Sequence, residues 1–175
     1  MTEYDAIVYD LDGTLVRLDV DWGAVAERCA AILRARGHDV SNADIWAMRE
    51  VAAADGLLDR VDDAIAEFER EGARSARRLA LADDLPHSVP VGVCSLNCAA
   101  ACRIALELHG IDRHVDAVVG RDSHETVKPD PEPLLHAVDL LGADPSSSLF
   151  VGDSDSDREA AAAAGLDFQW VEDRV

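Results

Sequence analysis

The sequence predicts an α/β fold, a doubly wound parallel five-stranded sheet with a small inserted all-helical segment. Three observations predict it. Five short apolar runs, most of them rich in valine, suit parallel strands covered on both faces. Helical stretches follow the later runs and stop at Gly110, Gly142 and Gly165, as helices with a C-terminal glycine do. Between residues 17 and 84 the strand signal lapses and helical periodicity continues alone. Alternating strands and helices make a wound sheet. The expected boundaries are therefore 1–16 and 85–175 for the α/β core and 17–84 for the helical insertion.

The first expected strand, residues 4–9, runs into Asp10-Leu11-Asp12-Gly13-Thr14. Two carboxylates two residues apart at a strand end point the same way. Gly13 allows a turn and a close approach of backbone to an anion. One carboxylate suits a nucleophile and the other a proton donor, provided that their surroundings separate their pKa values. An acidic turn after an edge strand is the plainer alternative, but the Gly-Thr pair directly after an apolar strand makes the pattern specific.

The insertion opens with a helix over residues 22–36 that stops at Gly37. A second runs from the start signal at Ser41 to Asp44 as far as Ala54, before Gly56. Residues 57–81 read as one long amphipathic helix with a possible break at Gly72, and no strand is expected within the segment. Arg17, Asp21 and Trp22 stand at its entrance. They either face a ligand or anchor a hinge, and the second reading is the plainer. Pro86 to Pro90 returns the chain to the core.

The second strand, 89–94, delivers Ser95, whose hydroxyl and backbone N–H suit an anion. A helix over 98–109 and a third strand over 115–119 follow. Then comes Lys128-Pro129-Asp130-Pro131, where proline stiffens the entry into a helix over 132–141. Lys128 is the single lysine among sixteen basic residues, and a compact ammonium is not interchangeable with a guanidinium fork. The fourth strand, 149–151, leads into Gly152-Asp153-Ser154-Asp155-Ser156-Asp157. A helix over 155–164 puts Asp157 four residues after Asp153, on the same side. Helix capping explains one or two of these acids but not the cluster, and hard oxygen ligands suit Mg²⁺. The fifth strand covers 168–171. In an open parallel sheet all four pieces converge at the carboxyl ends of the strands, where ligands bind.

Composition narrows the partners. Thirty-five acidic against sixteen basic residues give a net charge of −19, spread along the chain; small domains usually carry about 2–8. A GC-rich genome explains arginine over lysine but not the acidity, which leaves adaptation to high salt as the expectation. Nucleic acid is not an expected partner, since phosphate backbones need basic patches. Cys29, Cys94, Cys98 and Cys102 lack the paired spacing of a zinc site and read as reduced, buried thiols. Glu3 and Asp5 stand where a signal peptide has its basic region, and no apolar run approaches a membrane span. A cytoplasmic protein is expected, with no membrane partner and with its oligomeric state open.

Taken together, the four pieces resemble the motifs of the haloacid dehalogenase superfamily. Asp10-x-Asp12-Gly13-Thr14 looks like its first motif, Ser95 its second, Lys128-Pro129-x-Pro131 its third, and Gly152-Asp153-Ser154-x-x-Asp157 its fourth. The helical insertion occupies the place of the family's C1 cap, which points to the phosphoglycolate phosphatase-like branch. The resemblance implies a Mg²⁺-dependent phosphomonoester hydrolase acting on a small phosphorylated metabolite. It implies that Asp10 is the nucleophile, forming an aspartyl-phosphate, and that Asp12 is the general acid and base. Gly13, Thr14, Ser95, Leu96, Asn97 and Lys128 would hold the phosphoryl group. Asp10, the backbone carbonyl of Asp12, and Asp153 would hold Mg²⁺. Asp157 would either support the metal through water or orient Lys128. Leu96 stands where many relatives carry Asn, with Asn97 one position later. The alternatives are a phosphosugar mutase of the same fold and a non-catalytic phosphate- or partner-binding domain.

Overall fold

In a computed structural model, residues 4–174 are described. Residues 1–3 of the expected 1–16 segment, the Glu3 position read above, and Val175 lie outside the described residues. In chain order the elements are β1 (Ala6–Tyr9), β2 (Val16–Arg17), α1 (Trp22–Arg34), α2 (Ile45–Ala54), α3 (Leu58–Ala73), β3 (Arg77–Arg78) and β4 (Val91–Cys94). They continue with α4 (Ala99–Leu108), β5 (Ala117–Val119), α5 (Glu132–Leu140), β6 (Ser148–Gly152), α6 (Asp155–Ala164) and β7 (Asp167–Trp170).

The sheet has five strands in the order β5-β4-β1-β6-β7, and every pairing is parallel. The chain leaves β1 to one side through β4 and β5, then returns to the other side through β6 and β7. That reversal makes β1 the centre of the sheet and opens a crevice at its carboxyl end. Successive β1 side chains face opposite layers. Ile7 and Tyr9 pack with Cys102, Ala105 and Leu106 of α4. Val8 packs with Phe150, with Leu134 and Val138 of α5, and with Ala160 and Ala161 of α6. Burying a large apolar side chain contributes about 1.5–3 kcal/mol, so both faces hold the sheet. This agrees with the doubly wound fold class.

α1, α2 and α3 enclose a third cluster of Val25, Cys29, Leu33, Met48, Val61 and Ile65. α1 and α2 start on aspartate caps. Asp21 accepts from the Ala24 N–H at 3.0 Å, and Asp44 accepts from Ala47 at 2.8 Å. Each cap is worth about 1 kcal/mol.

The reading of residues 57–81 as one helix needs correction. α3 ends at Ala73, β3 follows, and residues 80–84 form a 3-10 turn. β3 pairs antiparallel with β2, Val16 opposite Arg78 and Arg17 opposite Arg77. This two-residue ribbon is too short to register as alternation in the sequence. Gly72 stands one residue before the helix end, close to the break expected there. It lies where the outgoing and returning limbs touch: a Cβ there would sit 2.6 Å from the Asp19 carbonyl oxygen.

The four cysteines are free and buried, as read from their spacing. Among the described residues no helix is long and apolar enough to cross a membrane.

Candidate active site

Each strand end is held by a neighbour. Asp10 donates its N–H to the Val151 carbonyl at 2.9 Å, and Ser95 donates to Val119 at 2.9 Å. These bonds extend the sheet by one residue past β1 and β4. They bring the first, second and fourth sequence motifs to one edge.

Lys128 comes up beneath them. Its ammonium donates to Asp10 Oδ1 at 2.9 Å, to the Cys94 carbonyl at 2.9 Å and to Asp157 Oδ1 at 2.5 Å. Three donors meet three acceptors, and the side chain is only 2% exposed. Burial alone would depress the Lys128 pKa, but the Asp10 and Asp157 charges outweigh it and hold the pKa above the ordinary lysine value. Burial pushes the Asp10 carboxyl up to about 7; Lys128 opposes that rise, and the neighbouring Asp157 and Asp153 charges add to it.

Asp157 is also fixed from its other oxygen. Oδ2 accepts from the Ser154 hydroxyl at 2.7 Å and from the Ser154 and Asp153 N–H groups at 3.1 and 3.2 Å. Ser154 in turn caps α6, forming a capping box with Asp157. The start of α6 therefore positions Asp157, and Asp157 positions Lys128.

Asp12 accepts from the Leu18 N–H at 3.0 Å, with Arg17 4.0 Å away. Burial raises its pKa above the ordinary carboxylate value. Gly13 has φ +97°, a left-handed value, and a Cβ there would lie 1.9 Å from Asp153 Oδ2. Only glycine lets this turn and the Asp153 carboxylate share the space. Thr14 is buried, its hydroxyl 3.5 Å from Asp10 Oδ2.

The Ser95 hydroxyl donates to Asn97 Oδ1 at 3.1 Å and accepts from the Asn97 N–H at 3.2 Å. Leu96 lines the cavity, and its carbonyl accepts from Arg121 at 2.8 Å. Asn97 reaches across to the helical insertion, where Nδ2 donates to Glu69 Oε1 at 3.2 Å. Glu69 Oε2 accepts from the Cys98 N–H at 2.9 Å, and Glu69 Oε1 pairs with Arg121 at 2.6 Å. Burial would lower the Arg121 pKa, but Glu69 overrides it and raises it.

Sequence reasoning missed Glu69 and Arg121. Glu69 lies on the buried stripe Val61-Ile65-Glu69-Ala73 of α3, where an acid needs a partner. Arg121 follows β5 at a strand's carboxyl end. Both signals were present, but the pair is 52 residues apart in sequence. Asp21 is a helix cap, and Trp22 lines the cavity.

Asp10, Asp12, Ser95, Leu96, Asn97, Lys128, Asp153 and Asp157 line one cavity of about 520 Å³, between the strand ends and α1–α3. Oxygens of Asp10, Asp153 and Asp157 all lie within 4.8 Å of one another. Burial, with Asp157 adding to it, also raises the Asp153 pKa. Three carboxylates at this spacing against one ammonium leave uncompensated negative charge, and hard oxygen donors suit a hard divalent cation. The residues therefore fit such an ion.

A model of the family described as haloacid dehalogenase-like hydrolase matches residues 81–171. A plasmid-encoded phosphoglycolate phosphatase of Cupriavidus necator is 33% identical over 186 residues, spanning 92% of this chain and 78% of its own length. The crystal structure of a HAD-superfamily hydrolase, subfamily IA, variant 1, from Geobacter sulfurreducens superposes with a TM-score of 0.61 at 24% identity, covering 95% of this chain and 86% of that one. CbbY from Rhodobacter sphaeroides, solved in complex with phosphate, superposes with a TM-score of 0.67 at 18% identity, covering 95% and 85%.

Proposed function

The chain belongs to the haloacid dehalogenase-like hydrolase family, and we propose on that basis that it hydrolyses a small phosphomonoester through a phosphorylated Asp10. The observation that carries this reading is the contact of Lys128 with Asp10 at 2.9 Å, in a cavity that Asp12 also lines. Phosphoryl transfer needs in-line positioning and charge neutralisation more than any other help.

In the first half-reaction a carboxylate oxygen of Asp10 attacks phosphorus. The bond from phosphorus to the ester oxygen breaks, and Asp12 gives its proton to that leaving oxygen. The raised pKa of Asp12 supports its carrying a proton to deliver. In the second, Asp12 takes a proton from water, the resulting hydroxide attacks phosphorus, and the bond to Asp10 breaks. Inorganic phosphate leaves and both carboxyls return to their starting states. Lys128, the Ser95 hydroxyl and the Leu96 N–H hold the phosphoryl oxygens; Gly13 and Thr14, expected to join them, lie outside the cavity lining, and the fully buried Thr14 hydroxyl faces Asp10 instead. Asn97 holds Ser95.

Mg²⁺ would be held by Asp10, Asp153 and the Asp12 carbonyl; when bound, it supplies neutralisation of the phosphoryl charge. Asp157 supports the site by fixing Lys128. Residues 17–84 act as a cap over the strand ends and supply the leaving-group contacts. Four unpaired buried thiols suit a reducing compartment, which supports a cytoplasmic enzyme.

The test is phosphate release from p-nitrophenyl phosphate with Mg²⁺, in low and in molar KCl. Activity is expected to disappear with chelator and with Asp10→Asn. Substantial turnover by Asp10→Asn would contradict the covalent reading.

A further inference from the structure

The cavity is divided by its chemistry. Its floor, at the strand ends, carries the acids and Lys128. Its roof comes from the three insertion helices: Trp22 and Ala26 of α1, Ile45 and Trp46 of α2, and Ile65 of α3. Trp22 and Trp46 are 42% and 43% exposed, two of the four large apolar side chains left open to solvent among the described residues. Exposed aromatic faces lining a cavity are places where a ligand gains by covering them.

The Trp46 ring is also held in place. The Arg49 guanidinium lies 5.4 Å from the ring centroid, and Asp62 fixes that guanidinium through two bonds of 2.6 and 2.8 Å. A preset ring loses little freedom when it binds.

The charge on the same side is unfavourable to an anion. Arg121 and Lys128 are the cations among the described residues that line the cavity. Lys128 faces Asp10 and Asp157 and, in the reaction proposed above, serves the phosphoryl group and not the leaving side; Arg121 pairs with Glu69, with Asp62 3.5 Å away. Arg17 lies outside the lining, 4.0 Å from Asp12. Asp44 and Glu69 add two carboxylates to the lining. An anionic group on the leaving side of a substrate would meet acids and apolar surface, and each cation in the lining already faces carboxylates; burying a charge without its own partner is costly.

We infer that this site takes a phosphomonoester whose leaving group is uncharged and carries a planar apolar face, seated against Trp22 and Trp46, and that it selects against esters bearing a second anionic group. The inference rests on the phosphatase reading above. It departs from what the name of the Cupriavidus relative says of that protein, whose substrate carries a carboxylate.

Three esters of alkyl alcohols separate the contributions. Phosphoglycolate carries the second anion, 2-hydroxyethyl phosphate is its uncharged counterpart of similar size, and 2-phenylethyl phosphate adds a ring. With Mg²⁺ present, kcat/KM is expected to rise in that order, with 2-phenylethyl phosphate about tenfold or more above phosphoglycolate, the size that partial burial of an apolar group supports. Trp46→Ala and Trp22→Ala should each lower the ratio of phenylethyl to hydroxyethyl activity about fivefold, while Trp46→Phe keeps most of it.

Binding to Asp10→Asn, followed by tryptophan fluorescence, reads the same order of affinities without turnover. Phosphoglycolate turned over or bound as well as the phenylethyl ester would overturn the inference and leave the phosphatase reading standing. The expected affinity order with no phosphate released by the unsubstituted protein would support the inference and sink the phosphatase reading. Tryptophan variants that leave the ratio unchanged would remove the assigned seat.

Discussion

Glu69 and Arg121 form a buried ion pair, 2.6 Å apart, that joins an insertion helix to the loop after β5. Glu69 is 1% exposed and Arg121 5%. The same carboxylate receives Asn97 and the Cys98 N–H, so it also anchors the loop that carries Ser95. Glu69→Gln removes the nearer counter-charge of the buried Arg121 guanidinium and leaves it only Asp62, 3.5 Å away. Breaking one side of such a pair costs about 3–5 kcal/mol. Urea unfolding should show a loss of that order, and kcat should fall as the Ser95 loop loosens. A stability change under about 0.5 kcal/mol, the scale of an ordinary surface substitution, would mean that the pair holds nothing together.

Lys128→Arg tests whether the buried slot needs an ammonium. The three acceptors around Nζ lie within 2.9 Å of one point. A planar fork cannot place one atom there. A fall of about 10²-fold or more in kcat is expected, the scale seen when a preorganised donor is lost from a transition state. Circular dichroism checks that the protein is folded. Near-normal turnover would show that any cation suffices.

Gly13→Ala places a Cβ where Asp153 Oδ2 now lies, at a left-handed φ. The carboxylate must move away or the turn must strain, and strain of this kind costs about 1–3 kcal/mol. Titration calorimetry should show weakened Mg²⁺ binding. Unchanged affinity would place Asp153 outside the metal site.

The metal-free protein should carry a pH signature. The Asp10 carboxyl titrates near 7 when folded, against an ordinary 3.8. Over that window the folded state binds the extra proton, so its stability falls as pH rises from about 4 to about 7. Asp10→Asn removes this penalty. With chelator present, Asp10→Asn should raise the melting temperature more at pH 8 than at pH 5. An equal effect at both would contradict the raised value.

The net charge of −19 predicts a salt response. Screening of self-repulsion should raise the melting temperature between low and molar KCl. A flat response would leave the acidity without that explanation.

Local signals were the legible ones. The expected helix over 155–164 matches α6 to the residue, because Ser154 at its start and Gly165 at φ +78° mark both ends within a few positions. The strand ends were legible because apolar runs stop at charged or polar residues. The β2–β3 ribbon was not, since two residues make no period. The Glu69–Arg121 pair was not, since nothing local links α3 to β5. Asn97 is open between roles in the sequence. Its bonds to both Ser95 and Glu69 depend on where the insertion folds back, which is a tertiary fact.

The most direct test of the central claim is chemical trapping. The enzyme would be incubated with Mg²⁺ and a turning-over phosphomonoester, quenched, and treated with borohydride, which reduces an acyl phosphate to an alcohol. Peptide mass spectrometry should then find homoserine in place of aspartate at position 10, and only when substrate was present. Unmodified Asp10 in an enzyme that releases phosphate, or reduction at Asp12 instead, would contradict the account.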